Sequence, residues 1–219
     1  MTPRHRIPET TVARLPVYLR SLLSLADGHG PVVSSEQLAQ LTGLNSAKVR
    51  KDLAYVGATG TRGVGYDVSH LVAMTARELR RSQDTPVVIV GMGQLGRALA
   101  AYQGFTSESF RIQALFDIDR SKLGQRVGGV KIRHLDELVA SVAEVDRVIG
   151  VITTSAPGAQ RAADALISAG VRAILNFAPA SLAIGDDVWL RNVDVSVELQ
   201  ILAHHRFTAE SHAGRGGPA

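Results

Sequence analysis

The sequence predicts an α/β protein in which a small winged helix-turn-helix domain precedes a Rossmann-type doubly wound parallel sheet. Three observations carry that prediction. From Thr85 onward, short apolar strands alternate with helical segments, the pattern of a parallel sheet covered on both faces. The run "VVIVGMGQLGRALAAY" (Val87–Tyr102) joins a buried-type strand to a helix through glycines at 91, 93 and 96, in G-x-G-x-x-G spacing. Ahead of it, two short helical segments flank a glycine turn and lead into a glycine-rich stretch.

The elements follow in chain order. Residues 1–7 are expected to be disordered. Val12 and Leu15, then Leu19, Leu22 and Leu23, have helical spacing. Pro16 splits them into a short helix and a second one that opens near the proline, where a missing N–H costs nothing. Gly28 and Gly30 are expected to end it. Ser34 and Gln37 have capping-box spacing and start a helix through Leu41. "TGLN" turns at Gly43, and Asn45 or Ser46 caps a further helix to about Val56. "GATGTRGVGYDV" reads as a small hairpin ending in a strand, and "MTARELRRSQDTP" as a helix running into a polar linker. Strands are expected at Val87–Val90, Arg111–Phe116, Val130–Arg133, Asp146–Ile152, Ala173–Phe177 and Trp189–Val193. Helices are expected at Gln94–Tyr102, Leu135–Ala143 and Pro157–Ala169. "VSVELQILAHHRF" reads as an amphipathic terminal helix. The expected domains are 1–83 (winged helix), 84–193 (Rossmann), 194–207 (terminal helix) and 208–219 (disordered tail).

Composition removes several function classes. There is no cysteine among the 219 residues, which excludes disulfides, thiolate nucleophiles and thiolate-bound zinc. The longest apolar runs, five or six residues, are too short to span a bilayer, and the basic N-terminus lacks the apolar core of a signal peptide. A cytoplasmic protein is the expectation, with no membrane or metal partner. Charge is uneven: Met1–Gln83 carries 11 Lys and Arg against 6 Asp and Glu, whereas Thr85 onward carries 13 of each. A basic front joined to a neutral back suggests that the front meets a polyanion.

The glycine turn suits a dinucleotide. The first glycine permits the turn, the second lets backbone approach a pyrophosphate, and the third lets helix and strand pack closely. Gly91, Met92, Gly93, Gln94, Leu95 and Gly96 form this grip. Asp117 ends the next strand, 21 residues after Gly96, where a carboxylate accepts hydrogen bonds from adenosine ribose hydroxyls and repels a 2′-phosphate. That favours NADH and NAD+, although Arg120 argues the other way. Thr153 and Asn176 follow later strands at the carboxyl edge, where open sheets bind ligands. Ser155 is placed to cap the helix opened by Pro157. Asn176 either contacts the nicotinamide half or pins its own loop. None of His134, His204, His205 and His212 has a convincing carboxylate orienter in sequence, so no catalytic residue is assigned.

On the helix after "TGLNS", Val49, Leu53 and Val56 project to one side at 100° per residue. Ala47, Lys51 and Ala54 project to the other, flanked by Lys48, Arg50 and Tyr55. A cationic face with a small centre suits close approach to a DNA major groove. Ser46, Lys48, Arg50, Lys51 and Tyr55, with Arg62 and Gly63 on the wing, are the candidate contacts. A solvated basic bundle, or a small NAD-dependent oxidoreductase or CoA-binding module with a basic accessory domain, remain the alternatives.

Together the stretches "RLPVYLR" (Arg14–Arg20), "SSEQLAQLTGLNSAKVRKDLAYVGATGTRGVGY" (Ser34–Tyr66), "VVIVGMGQLGRALAAY", "FDID" (Phe116–Asp119), "ILNFAP" (Ile174–Pro179) and "NVDV" (Asn192–Val195) resemble the Rex family of redox-sensing transcriptional repressors. The resemblance implies a homodimer with a domain-swapped C-terminal helix. It also implies binding to palindromic double-stranded operator DNA when NADH is scarce, with NADH and NAD+ as competing effectors. It further implies a switching cluster at Arg20, Tyr102 and Asp194.

Overall fold

The computed structural model describes residues 7–26, 30–79 and 84–213. The expected disordered start (1–6), Gly28, the linker at 80–83 and residues 214–219 of the expected tail lie outside them. Contacts cluster into two units, Met1–Gln83 and Asp84–Ala219.

In the front unit, α1 (Glu9–Val12) and α2 (Leu15–Ala26) precede a two-residue strand, β1 (Val32–Val33), then α3 (Ser35–Thr42) and α4 (Ser46–Tyr55). Ser34 and Gln37 form the complete capping box of α3, and Gly43 ends that helix in the left-handed region at φ 67°. Asn45, not Ser46, caps α4, its side chain accepting from the Ala47 N–H. β2 (Tyr66–Asp67) and α5 (Val68–Glu78) complete the unit. Leu15, Tyr18, Leu22, Leu38, Val49, Leu53 and Leu71 form its core, each at most 1% exposed.

Two expectations here are corrected. β2 does not pair with its own neighbour but runs antiparallel to β1, and the wing tip closes with a single bridge, Thr61 to Gly65. Gly65 sits at φ 113°, and a Cβ there would meet the Val33 carbonyl oxygen at 2.5 Å, so the close crossing requires glycine. In addition, α5 starts at Val68, where the Asp67 side chain accepts from the His70 N–H at 2.6 Å. The cap overrides the apparent strand.

The back unit opens with β3 (Thr85–Val90), α6 (Gln94–Ala100), α7 (Gly104–Ser107) and β4 (Phe110–Asp117). It continues through β5 (Arg126–Val127), β6 (Val130–His134), α8 (Leu138–Val142), β7 (Ile149–Ile152), α9 (Ala156–Ser168), β8 (Ala173–Asn176), β9 (Trp189–Asn192) and α10 (Val195–Ala213). The sheet order is β5-β6-β4-β3-β7-β8-β9. Every pair is parallel except β5 with β6, so the expected all-parallel sheet has one short antiparallel edge. Along β3, Val88 and Val90 enter the core on one face while Val87 and Ile89 enter the core on the other, the period-two consequence of a strand covered twice. The chain reverses direction across the sheet at β3, leaving a crevice where the ends of β3 and β7 diverge.

Boundaries shift for local reasons. β7 begins at Ile149 because Arg147 turns the chain at φ 58°. The terminal helix runs to Ala213, past the expected end at 207. It is not amphipathic in the simple sense. Val195, Leu199 and Leu202 line one side, Val197 and Ile201 another, and all five are between 46% and 64% exposed. Among the described residues, no helix is long and apolar enough to cross a membrane, and no three His, Asp or Glu side chains group to hold a metal ion.

Candidate functional site

The glycine turn at the end of β3 divides its work among three residues. Gly91 has φ 103°, and a Cβ there would meet Thr153 C and Thr154 N at 2.8 Å. A Cβ on Gly96 would meet the Gly91 carbonyl oxygen at 2.0 Å. Only Gly93 faces open space, with nothing within 4 Å of its ideal Cβ. The first and third glycines hold the turn and the second leaves room in front of it. Gln94 and Leu95 begin α6 and are exposed. Met92 is fully buried among Ile89, Leu115 and Val151, and presents no side chain to a ligand.

Asp117 departs from expectation. It is 5% exposed. Its Oδ2 accepts from the Met92 N–H at 2.7 Å and from Lys122 Nζ at 2.9 Å, and its Oδ1 accepts from the Asp119 N–H at 2.8 Å. Burial alone would raise its pKa. The bonds from Asp119, Lys122 and Met92 outweigh that and hold the carboxyl below the usual range. Asp117 therefore ties the turn to β4, and most of its acceptor capacity is spent before any ribose arrives.

Asn176 is engaged within its own loop. It is 1% exposed, its Nδ2 donates to Ala178 O, Ala180 O and Asn192 Oδ1, and its Oδ1 accepts from the Ala178 N–H. A side chain so saturated pins its loop and has little left for a nicotinamide. Thr153 also works inward, its Oγ1 donating to Gly91 O at 2.6 Å. Ser155 stands at the start of α9 but makes no side-chain cap bond.

A cavity of about 280 Å³ lies beside the turn, between the ends of β3, β4 and β7 and the first turns of α9. Gly91, Gly93, Asp117 and Thr153 line it, together with Ile118, Thr154, Lys122 and Arg161; the last two were not singled out from the sequence. Lys122 was within reach as the last cation of "FDIDRSK"; Arg161 reaches the cavity from α9, and no local signal marks it. The Thr154 hydroxyl is buried with no hydrogen-bond partner. Open space over Gly93, an orphaned hydroxyl and two cations in the lining, Lys122 and Arg161, fit a phosphorylated nucleotide.

On the front unit, Ala47, Lys48, Arg50, Lys51 and Ala54 are exposed along α4, Ser46 and Tyr55 are half-buried, and Val49, Leu53 and Val56 face the core. Arg50 is engaged within the protein. Its Nη1 donates to Ser35 Oγ and Glu36 Oε1, both at 3.1 Å, so its charge is partly neutralised. Beside it a groove of about 570 Å³ runs between the start of α3 and the wing tip, where Arg62 and Gly63 are exposed. One residue of α4 escaped pattern reading entirely. Asp52 is 1% exposed and accepts hydrogen bonds from Thr11, Arg14 and Tyr18.

The three switch candidates lie on surfaces. Arg20 is exposed on α2. Tyr102 is 60% exposed, edge-on to Phe105 at 5.3 Å. The exposed Asp194 accepts from Ser196 N and Oγ just before α10.

Comparison with known proteins follows the same division. A family model described as "CoA binding domain" matches residues 82–180, and one described as "Putative DNA-binding protein N-terminus" matches residues 6–54. The redox-sensing transcriptional repressor Rex of Streptomyces avermitilis is 53% identical over 212 residues, covering 96% of this chain and 84% of the relative. That of Syntrophomonas wolfei is 45% identical, covering 91% and 95%. The crystal structure of RSP, a Rex-family repressor, in complex with β-NAD+ and operator DNA aligns at TM-score 0.86 and 29% identity, over 97% of this chain and all of that one. RSP with β-NADH aligns at 0.85 and 28%, over 96% and 98%. With the glycine turn and the basic helix now placed on one chain, these likenesses along nearly its whole length agree: the chain belongs to the Rex family of redox-sensing transcriptional repressors.

Proposed function

We propose that this chain is a transcriptional repressor that reads the NADH/NAD+ ratio, holding a palindromic operator as a homodimer when NADH is low and releasing it when NADH binds. The observation that carries the reading is the pairing, on one chain, of an open second glycine beside a cavity at the strand ends with an exposed cationic helix after a capped turn. RSP binds NAD+ with operator DNA and also binds NADH; the same ligands are assigned here. The relatives are named repressors, and the role is regulation in the cytoplasm, without turnover.

Backbone at Gly91 and Gly93, with Gly96 packing the turn behind them, would hold the pyrophosphate, and Lys122, Thr154 and Arg161 the adenosine side. Lys48, Lys51 and Arg62 would meet phosphates and bases. A single winged helix reads one half-site, so two copies on a palindrome are required. The apolar residues on two sides of α10 support a helix covered from both sides in a dimer, as a swapped helix would be. Arg20, Tyr102 and Asp194 would then form the switching contacts. NADH differs from NAD+ by a hydride and the ring charge, and an effector shifts a two-state protein only through unequal affinity for the two states. A site that buries the neutral ring and resists the unpaired cation supplies that inequality. A coupling of about 3 kcal/mol gives about 150-fold control.

The test is operator binding titrated with NADH, with and without excess NAD+, and with CoA as a third arm, since the matching family model is described as CoA-binding. Release by micromolar NADH, opposed by NAD+, is expected. Operator binding indifferent to both nicotinamide forms but sensitive to CoA would replace this reading with a CoA-responsive one.

A further inference from the structure

The inward face of α4 contains a carboxylate where a helix packing on a core ordinarily places an apolar residue. At 100° per residue Asp52 falls beside Val49, Leu53 and Val56, and it is as buried as they are, at 1% exposure. Both of its oxygens are doubly served. Oδ1 accepts from Thr11 Oγ1 and Arg14 Nη2, each at 2.8 Å, and Oδ2 accepts from Arg14 Nε at 2.6 Å and Tyr18 Oη at 2.7 Å. All four donors come from one short stretch, the junction of α1 with α2.

Stability does not require this arrangement. Replacing a buried ion pair with apolar groups of similar volume is often neutral or stabilising, because taking charges out of water is costly. What such a network supplies is direction. Apolar side chains tolerate a helix that rolls or slides by a fraction of a residue. A bidentate guanidinium and two hydroxyls converging on one carboxylate do not. The next residue back along α4 is Lys51, exposed at the centre of the cationic face. Small errors in roll there displace the side chains that meet base edges.

We propose that Asp52 is a positioning residue for DNA recognition: with Thr11, Arg14 and Tyr18 it sets the roll and axial position of α4 on α1–α2, and sequence selectivity depends on it where folding does not. The inference rests on the reading of the chain as an operator-binding repressor. Because α2 also carries Arg20, the same contact joins the recognition helix to the helix bearing a switch candidate.

The test uses the full chain and a duplex selected by the parental protein from a randomised palindromic library, compared with a scrambled duplex of equal length. The quadruple variant Asp52→Leu, Arg14→Met, Thr11→Val and Tyr18→Phe removes the network, leaves neither buried hydroxyl without a partner and keeps the volume. Its thermal melt is expected at or above that of the parent, its NADH affinity unchanged and its binding to scrambled DNA within twofold, while its selectivity for the chosen duplex falls at least tenfold. Tyr18→Phe removes one hydrogen bond and no volume; it is expected to lose selectivity two- to fivefold with scrambled binding unchanged. A purely structural role would lower both affinities together through the folded fraction and leave their ratio alone. Parental selectivity in a folded quadruple variant overturns the proposal. Should that variant fail to fold, full selectivity in Tyr18→Phe overturns it. A parental chain that selects no duplex overturns the repressor reading itself.

Discussion

Asp52 in the front unit and Asp117 in the back unit are both buried carboxylates, at 1% and 5% exposure, and both are held ionised by the donors around them. Their donors differ in kind. Asp117 accepts two backbone N–H groups, one from the glycine turn at Met92 and one from Asp119 two residues on, plus one lysine. Asp52 accepts only side chains, from residues 34 to 41 positions away. A backbone-served carboxylate shapes the loop that surrounds it, and that shape survives many side-chain changes. A side-chain-served carboxylate locks one helix to another, and every member of the set is needed. The back unit thus holds a ligand turn with its main chain, while the front unit holds a reading helix with a tetrad of side chains.

The largest expected effect tests that contrast directly. Asp52→Asn leaves Arg14 without its charge partner; with Arg14 only 23% exposed, the front unit should lose about 3 kcal/mol, the low end for a broken buried pair, measured by denaturant unfolding. Gly93→Val comes next. Its side chain enters open space, so the melt should stay put, while NADH affinity falls roughly 100-fold, equivalent to about 2.7 kcal/mol; isothermal titration reads it. Asp117→Asn should cost about 2 kcal/mol, since the amide satisfies only some of the donors. A loss there equal to that of Asp52→Asn would remove the distinction between the two sites.

Acid should weaken both sites in the same sense. Burial raises each carboxyl's pKa. The bonds that Asp52 receives from Arg14, Tyr18 and Thr11, and those that Asp117 receives from Asp119, Lys122 and Met92, outweigh it and leave each below the usual range. A depressed folded value stabilises above the unfolded value and is lost as pH falls through the folded one. Unfolding free energy should therefore decline below about pH 4, and Asp52→Asn should flatten the front unit's decline. The smallest effect separates two cations on α4. Lys51→Ala should reduce the slope of log affinity against log salt by about 0.9. Arg50→Ala should reduce it less, because Glu36 already neutralises that guanidinium in part.

Several of these features were legible from short-range pattern and others were not. The capping box at Ser34, the left-handed turn at Gly43, the buried face of α4 and the three-glycine turn each depend on residues within a few positions, where spacing and stereochemistry suffice. The wing misled because its strand pairs with Val32–Val33 across both helices of the motif. The internal bonds of Asn176 and Asp117 were not legible, because a side-chain type at a strand end says what it can bond, not what has already bonded it.

Local chemistry alone therefore determined which segments turn, which wind and which face is cationic, since backbone dihedral preference and hydrophobic period act over single turns of chain. Only the tertiary structure decided which buried polar groups are spent and which stay open: Asp117 with three donors, Asn176 saturated, the Thr154 hydroxyl unpartnered, Gly93 facing space, Asp52 clasped from α1 and α2. The physical reason is that a hydrogen bond demands its partner within about 3 Å, and chain separation carries no information about that distance until the core has closed.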